Sequence, residues 1–250
     1  VLSTGASPLK PPIPGIDRAG HFTVRNIPDV ERIIAWIKDC RACRAVVVGG
    51  GYIGLEMAEQ LKHRGLGVTV IEALPQVMTP LDPEMAAWLH QELRANDVAL
   101  HLGDSVAAFE APQPGETARA SVVVLKSGKR IEADTVVLGL GVRPETSLAK
   151  NAGLELGSLG GIRVNDHMQT SDPKIFAVGD AVEVRDRLTG AWGIIPLAGP
   201  ANRQGRIAAD NIFGRPSRYE STQGTAILRL FKLSAGCTGA NEKSLRKAGI

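Results

Sequence analysis

Cysteine is scarce in this sequence: three residues in 250 cannot make a disulfide framework, which fits a reducing compartment and leads us to expect a cytoplasmic protein. Aromatic residues are only 4%, too few for a stacking platform that would hold single-stranded nucleic acid. Net charge is small as well. The 29 Lys+Arg and 26 Asp+Glu leave +3, with no dense basic block, so no nucleic-acid partner is expected. Apolar runs stop at about five residues, against the ~20 that cross a bilayer, so no membrane span is expected. No signal-peptide pattern opens the chain. What remains is 44% apolar residues with 28 Gly and 15 Pro, enough to build a core on a chain that turns often.

The chain starts Val1-Leu2-Ser3-Thr4-Gly5 without Met and stops at Ile250, which we take to mark an excerpt of a longer protein. Pro8–Gly15 is a stiff connector. Asp29–Lys38 has helical spacing, with Val30, Ile33, Ile34 and Ile37 on one face. Strand Ala45–Val48, a helix from about Tyr52 carrying Leu55, Ala58 and Leu61, strand Gly67–Ile71, a helix opened by Asp82-Pro83-Glu84, and strand Val98–Leu102 follow. This β-α-β-α-β alternation means an α/β fold, a parallel sheet wrapped by helices. Residues 105–138 read as mostly strand, with Ser121–Leu125 and Arg130–Ala133 a hairpin around Ser127-Gly128, then strand Thr135–Leu138. Beyond 143 we expect a helix at Thr146–Asn151, strands at Ile162–Val164, Lys174–Val178 and Thr225–Leu233, and helices at Pro200–Ile212 and near Asn241.

Gly49-x-Gly51-x-x-Gly54 sits between a strand and a helix, the setting that turns a weak motif into a strong one. Gly49 permits the tight turn, Gly51 lets backbone approach a pyrophosphate, and Gly54 lets the helix pack on the sheet. The helix N-terminus offers N–H groups and partial positive charge to the anion. Eighteen residues after Gly54, Glu72 ends the next strand. A carboxylate there accepts the adenosine ribose hydroxyls and repels a 2′-phosphate, which favours NAD(H) over NADP(H). A merely solvated acid at a strand end would leave that choice open.

Gly179-Asp180 ends a second apolar strand, where an acid can take hydroxyls of a polyol or simply close a turn. In order, Ser3-Thr4-Gly5-Ala6, the glycine motif, Gly139-Leu140-Gly141-Val142-Arg143-Pro144 and Phe176-Ala177-Val178-Gly179-Asp180 resemble the FAD-dependent pyridine nucleotide-disulfide oxidoreductases. Ile195–Arg206 and Thr238–Lys243 resemble its coenzyme A-disulfide reductase and NADH oxidase/peroxidase branch.

The resemblance implies a Rossmann-like NAD(H)-binding domain with a small antiparallel β-meander, inserted in a partial FAD-binding domain. Residues 1–24 would end the first half of that FAD domain, 25–142 would be the NAD(H) domain, 143–215 the second half of the FAD domain, and 216–250 the start of an α+β dimerisation domain. NADH would lie on Gly49, Gly51, Tyr52, Ile53, Gly54, Glu56, Glu72 and Gly141, with Tyr52 as an aromatic gate over the flavin. Thr4, Gly5, Gly179, Asp180, Leu197 and Ala198 would serve FAD. Asp180 would hold the ribityl chain, and the helix at Pro200 would aim its positive end at the pyrimidine edge. The redox cysteine and the flavin-adenine fingerprint would precede the chain, so no residue here is assigned as catalytic.

Cys40-Arg41-Ala42-Cys43 stands two residues before the strand at Ala45, leaving no loop to swing the pair to a flavin. It has no second ligand pair for zinc, and we read both thiols as incidental. Cys237 reads as a packed small residue, and the five histidines as surface or packing residues. The implied activity passes hydride from NADH to FAD and on to a low-molecular-weight disulfide, coenzyme A disulfide or a persulfide, in a homodimer. Dioxygen or peroxide is the alternative acceptor. A flavin-free dehydrogenase would explain 45–138 alone, and a non-catalytic NADH-binding module is a further alternative.

Overall fold

A computed structural model describes residues 1–186 and 189–249. In chain order, β1 (Ala6–Pro8) and β2 (His21–Phe22) precede α1 (Ile27–Asp39), β3 (Arg44–Val48), α2 (Tyr52–His63), β4 (Gly67–Glu72), α3 (Pro83–Ala95) and β5 (Val98–Leu102). Then come β6 (Val106–Glu110), β7 (Ser121–Leu125), β8 (Arg130–Ala133), β9 (Thr135–Leu138), β10 (Val142–Pro144), α4 (Ser147–Asn151) and β11 (Ile162–Arg163). A 3-10 turn (Gly179–Ala181) leads into β12 (Val182–Arg185) and β13 (Trp192–Gly193). The last elements are α5 (Ala198–Ile212), β14 (Ala226–Leu230), β15 (Leu233–Cys237) and α6 (Glu242–Lys247).

The chain folds into two compact units. One comprises Pro8–Gly141 with Leu228–Ala235. Its sheet has the order β2-β9-β3-β4-β5, with every pair parallel. Strand β3 reads as a continuous apolar run because it is covered on both faces, and Ala45–Val48 are all buried. Helix α2 packs on β3 and β4 through Leu55, Ala58 and Leu61, each at most 1% exposed, the face the spacing picks out. An antiparallel meander, β6-β7-β8, packs Phe109, Val123 and Leu125 against Val46, Ile71 and Val136 of the sheet. Its β7–β8 turn holds Gly128 at φ 87°, as the Ser127-Gly128 reading expects. The Rossmann-like sheet with its meander is thus the fold the sequence indicates.

The other unit comprises Val1–Ser7, Val142–Ile227 and Gly236–Ile250. In it β1 pairs with β10, and β12 lies parallel to β11 and antiparallel to β13. Its core gathers Ile162, Met168, Ala177, Val182, Ile207 and Ala208.

Three expectations need correction. Lys174–Val178 is not a strand: Phe176 and Ala177 make single bridges, to Gln169 and Leu2. The Ile175 N–H turns back to the Asp172 carbonyl, which takes the start of the segment out of any ladder. Thr225–Leu233 is not one strand but the start of a hairpin, reversed at Phe231, which has φ 52°. That left-handed turn lacks the usual Gly or Asn. It is pinned by tertiary bonds instead, since the Phe231 N–H donates to the Glu59 carboxylate at 3.0 Å and the Lys232 N–H to Glu92 at 3.1 Å. Helix α5 begins at Ala198, two residues before the expected Pro200, because Pro in a first helical turn forfeits no intrahelical bond.

Candidate nucleotide sites

In the first unit, β3 ends into the glycine turn, and backbone bonds fix it. The Gly49 N–H donates to Ile71, Gly139 to Val48, and Met78 to Gly50, each at 2.8 Å. Three glycines are in mutual contact. A Cβ on Gly54 would stand 1.9 Å from the Gly49 carbonyl oxygen, and one on Gly49 would stand 2.2 Å from that of Gly139. Gly49 also has φ 109°. Gly51 differs: its φ is −83°, and a Cβ there would meet nothing within 4 Å. The chain's own packing makes no demand for glycine at 51. The open space lies at the N-cap of the 12-residue α2, which no side chain caps. That cradle suits a pyrophosphate.

Glu72 ends β4 beside this turn. Its Oε2 accepts the Gly50 N–H at 2.7 Å and its Oε1 accepts the Leu74 N–H at 2.9 Å. Each carboxylate oxygen keeps a second lone pair for a hydroxyl donor. A cavity of about 210 Å³ adjoins it, lined by Gly49, Ile71, Glu72, Ala73, Gly139 and Leu140 among others. Tyr52 is half-buried, while Ile53 and Glu56 are exposed on the same helix. Gly141, at φ 97°, leaves β9, and its carbonyl accepts the Leu9 N–H at 2.9 Å.

In the second unit, Gly179 (φ 79°) and Asp180 form the 3-10 turn against α5. The Gly179 N–H donates to Gln204 Oε1 at 2.7 Å, and Gly179 has room for ordinary contact with Ala201. The turn therefore lies on the N-terminal half of α5, whose N-cap Leu197 carries no side-chain cap bond. Asp180 is half-buried, its carboxyl makes no hydrogen bond among the described residues, and burial pushes its pKa up. A desolvated acid without protein donors suits a polyol that brings its own hydroxyls. Thr4 Oγ1 donates to the Glu145 carbonyl, and the Gly5 carbonyl accepts the Glu145 N–H at 2.9 Å. Gln204, 2% exposed, was not singled out from sequence, because a glutamine on a helix carries no signal of its partner.

Cys40 and Cys43 are unpaired thiols, and Cys43 is exposed. Among the described residues no group of three or more His, Cys, Asp and Glu could hold a metal ion, and no helix is long and apolar enough to cross a membrane.

A family model described as pyridine nucleotide-disulphide oxidoreductase matches residues 1–205. The chain is 40% identical over 240 residues to an NADH oxidase of Methanocaldococcus jannaschii, covering 96% of this chain and 52% of that protein. Its fold is similar to that of the reduced CoADR-RHD of Bacillus anthracis, with a TM-score of 0.93 and 49% identity, covering 100% of this chain and 44% of that one. It is similar also to a NAD-dependent persulfide reductase from A. fulgidus, with a TM-score of 0.93 and 38% identity, covering 99% of this chain and 45% of that one. The chain spans about half the length of the curated relatives it matches.

Proposed function

Because the chain belongs to the pyridine nucleotide-disulphide oxidoreductase family, we propose that its protein passes hydride from NADH to FAD and on to a low-molecular-weight disulfide or persulfide. The redox cysteine lies outside this chain. The observation that carries the reading is the open cradle at Gly51 beside Glu72, paired with a half-buried, unpartnered Asp180 beside the start of α5. When bound, FAD supplies the redox chemistry, accepting two electrons and releasing them singly or in pairs.

The chain's residues bind and orient. The first turn of α2 receives the NADH pyrophosphate at Gly51, with Gly49 and Gly54 holding the turn in shape. Glu72, already anchored to the Gly50 and Leu74 amides, presents its remaining lone pairs to the adenosine ribose. Tyr52, Ile53 and Glu56 stand on the first turns of α2 for the nicotinamide end, and Gly141 lets the coenzyme pass close to backbone. Asp180 accepts ribityl hydroxyls. Leu197 and Ala198, at the start of α5, would turn its positive end toward the pyrimidine edge of a bound flavin. Thr4 and Gly5 shape the same site through Glu145. The division into segments 1–24, 25–142, 143–215 and 216–250, a homodimeric assembly and a cytoplasmic location complete the proposal.

The similarity to an NADH oxidase favours a second reading, in which dioxygen or peroxide takes the electrons. The test uses the full-length protein. A flavin absorbance spectrum, NADH consumption that depends on coenzyme A disulfide, and thiol product at two per NADH are expected. Consumption driven by dioxygen or peroxide alone would select the second reading. NADH binding without consumption would leave a non-catalytic module, and absence of a flavin spectrum would overturn both redox readings.

A further inference from the structure

The loop between β4 and α3, residues 73–81, is held in a shape its sequence does not favour. Met78 is buried and has φ 49°, the left-handed region that a residue with a side chain seldom adopts. Such backbone persists where its surroundings over-determine it. Three bonds do so here. The Met78 N–H donates to the Gly50 carbonyl at 2.8 Å, tying the loop to the glycine turn. The buried Gln76 side-chain amide donates to the Leu81 carbonyl at 2.9 Å, closing the loop on itself. The Val77 N–H donates to Nε2 of His90 at 3.2 Å, tying the loop to α3.

The loop is part of the frame of the cradle. Gly50 is gripped from both sides: its N–H donates to Glu72 at 2.7 Å and its carbonyl takes Met78. A Cβ on Gly50 would stand 2.7 Å from Val77 Cγ1, so the Val77 side chain lies directly on the turn. At the start of the loop the Leu74 N–H braces Glu72 at 2.9 Å. One bond therefore joins His90 to Val77, and one more joins the adjacent Met78 to Gly50, next to the open position at Gly51.

We propose that His90 is a positioning residue of the coenzyme site: its neutral ring seats Val77 and Met78 against Gly50, and protonation of the ring releases them. The inference rests on the reading of Gly51 and Glu72 as the NADH site. A ring that accepts an N–H at Nε2 carries its proton on Nδ1. The imidazolium has a donor at both nitrogens and would meet the Val77 N–H donor to donor. Burial first, then the charge of Arg94 one turn further along α3, lowers the His90 pKa from the ordinary 6.5. Loop 73–81 carries no ionisable side chain, and β5, on which α3 packs, carries only His101. Coenzyme affinity should therefore be level above about pH 6.5 and fall as acid protonates the ring.

The test is calorimetric titration of the full-length protein with ADP-ribose, which carries the pyrophosphate and the adenosine ribose and, unlike NADH, survives acid. His90→Leu removes the acceptor and should raise Kd about fivefold at neutral pH, the scale of one hydrogen bond. His90→Gln offers a side-chain carbonyl that accepts the same N–H without titrating. It should recover most of that loss and flatten the rise in Kd that the parent shows on acidification. Parallel pH profiles for the parent and His90→Gln, or a parent-like Kd in His90→Leu, would overturn the proposal. Gly51→Ala separates the two readings. If it weakens ADP-ribose binding while both His90 variants do not, the coenzyme site stands and the role of His90 falls. If Gly51→Ala has no effect, both fall.

Discussion

The side-chain oxygen of Gln204 accepts the backbone N–H of Gly179 at 2.7 Å, tying the turn that presents Asp180 to the first turns of α5. The bond spans 25 positions and is nearly closed to solvent at the glutamine. Gln204→Leu keeps the volume and strands the Gly179 amide. We expect a loss of about 1–3 kcal/mol, read as a lower Tm. FAD retention by the full-length protein should fall with it. Retention unchanged at a lowered Tm would confine Gln204 to a packing role.

Two glycines of one motif should respond oppositely to the same methyl group. Gly54→Ala puts a Cβ against the Gly49 carbonyl and should lower Tm by several degrees, the scale of an overpacked contact at about 1–3 kcal/mol. Gly51→Ala meets no protein atom at an ordinary φ, so Tm should hold. Its methyl group occupies the cradle, and the NADH Kd should rise tenfold or more. Calorimetric titration beside thermal melts checks both. Unchanged NADH affinity in Gly51→Ala would remove the pyrophosphate from that terminus.

At Glu72 the prediction is about coenzyme choice. The parent should bind NADH at least tenfold more tightly than NADPH, the scale of a charge-assisted bond kept or a like-charge contact avoided, about 1.4 kcal/mol per tenfold. Glu72→Ala should narrow that ratio, mostly by weakening NADH. Equal affinities for the two coenzymes in the parent would defeat the assignment.

His21 makes stability depend on pH. It is partly buried, its Nδ1 is 3.1 Å from the Ile16 carbonyl oxygen, and its Nε2 is 2.8 Å from Ser121 Oγ. Burial first, partly offset by the bond to the Ile16 carbonyl, lowers its pKa to about 4. The unfolded chain, with the ordinary value of 6.5, binds more protons between those limits. Stability is therefore unaffected by this group above about pH 6.5 and declines as pH falls toward 4. Melts from pH 7 to 4 should show a Tm decline that is shallower in His21→Gln. Parallel profiles for the two proteins would refute the role.

Helix α2 and the glycine turn were legible because their signals are local: apolar residues at Leu55, Ala58 and Leu61, and glycines at fixed offsets after an apolar strand. The reversal at Phe231 was not, because its left-handed turn is held by Glu59 and Glu92, some 172 and 140 positions away along the chain. Lys174–Val178 looked like a strand by composition, but a ladder needs a partner running alongside it, and only single bridges form.

By itself, the order of residues determined the alternating parallel sheet, the cradle at Gly49–Gly54 and the acids at 72 and 180, since helix period, strand alternation and glycine's freedom act over a few neighbouring positions. Tertiary structure alone decided that Gln204 steadies Gly179 and that Glu72 is braced by two amides. Those pairings depend on which distant side chains burial brings together, and no short window of sequence records that.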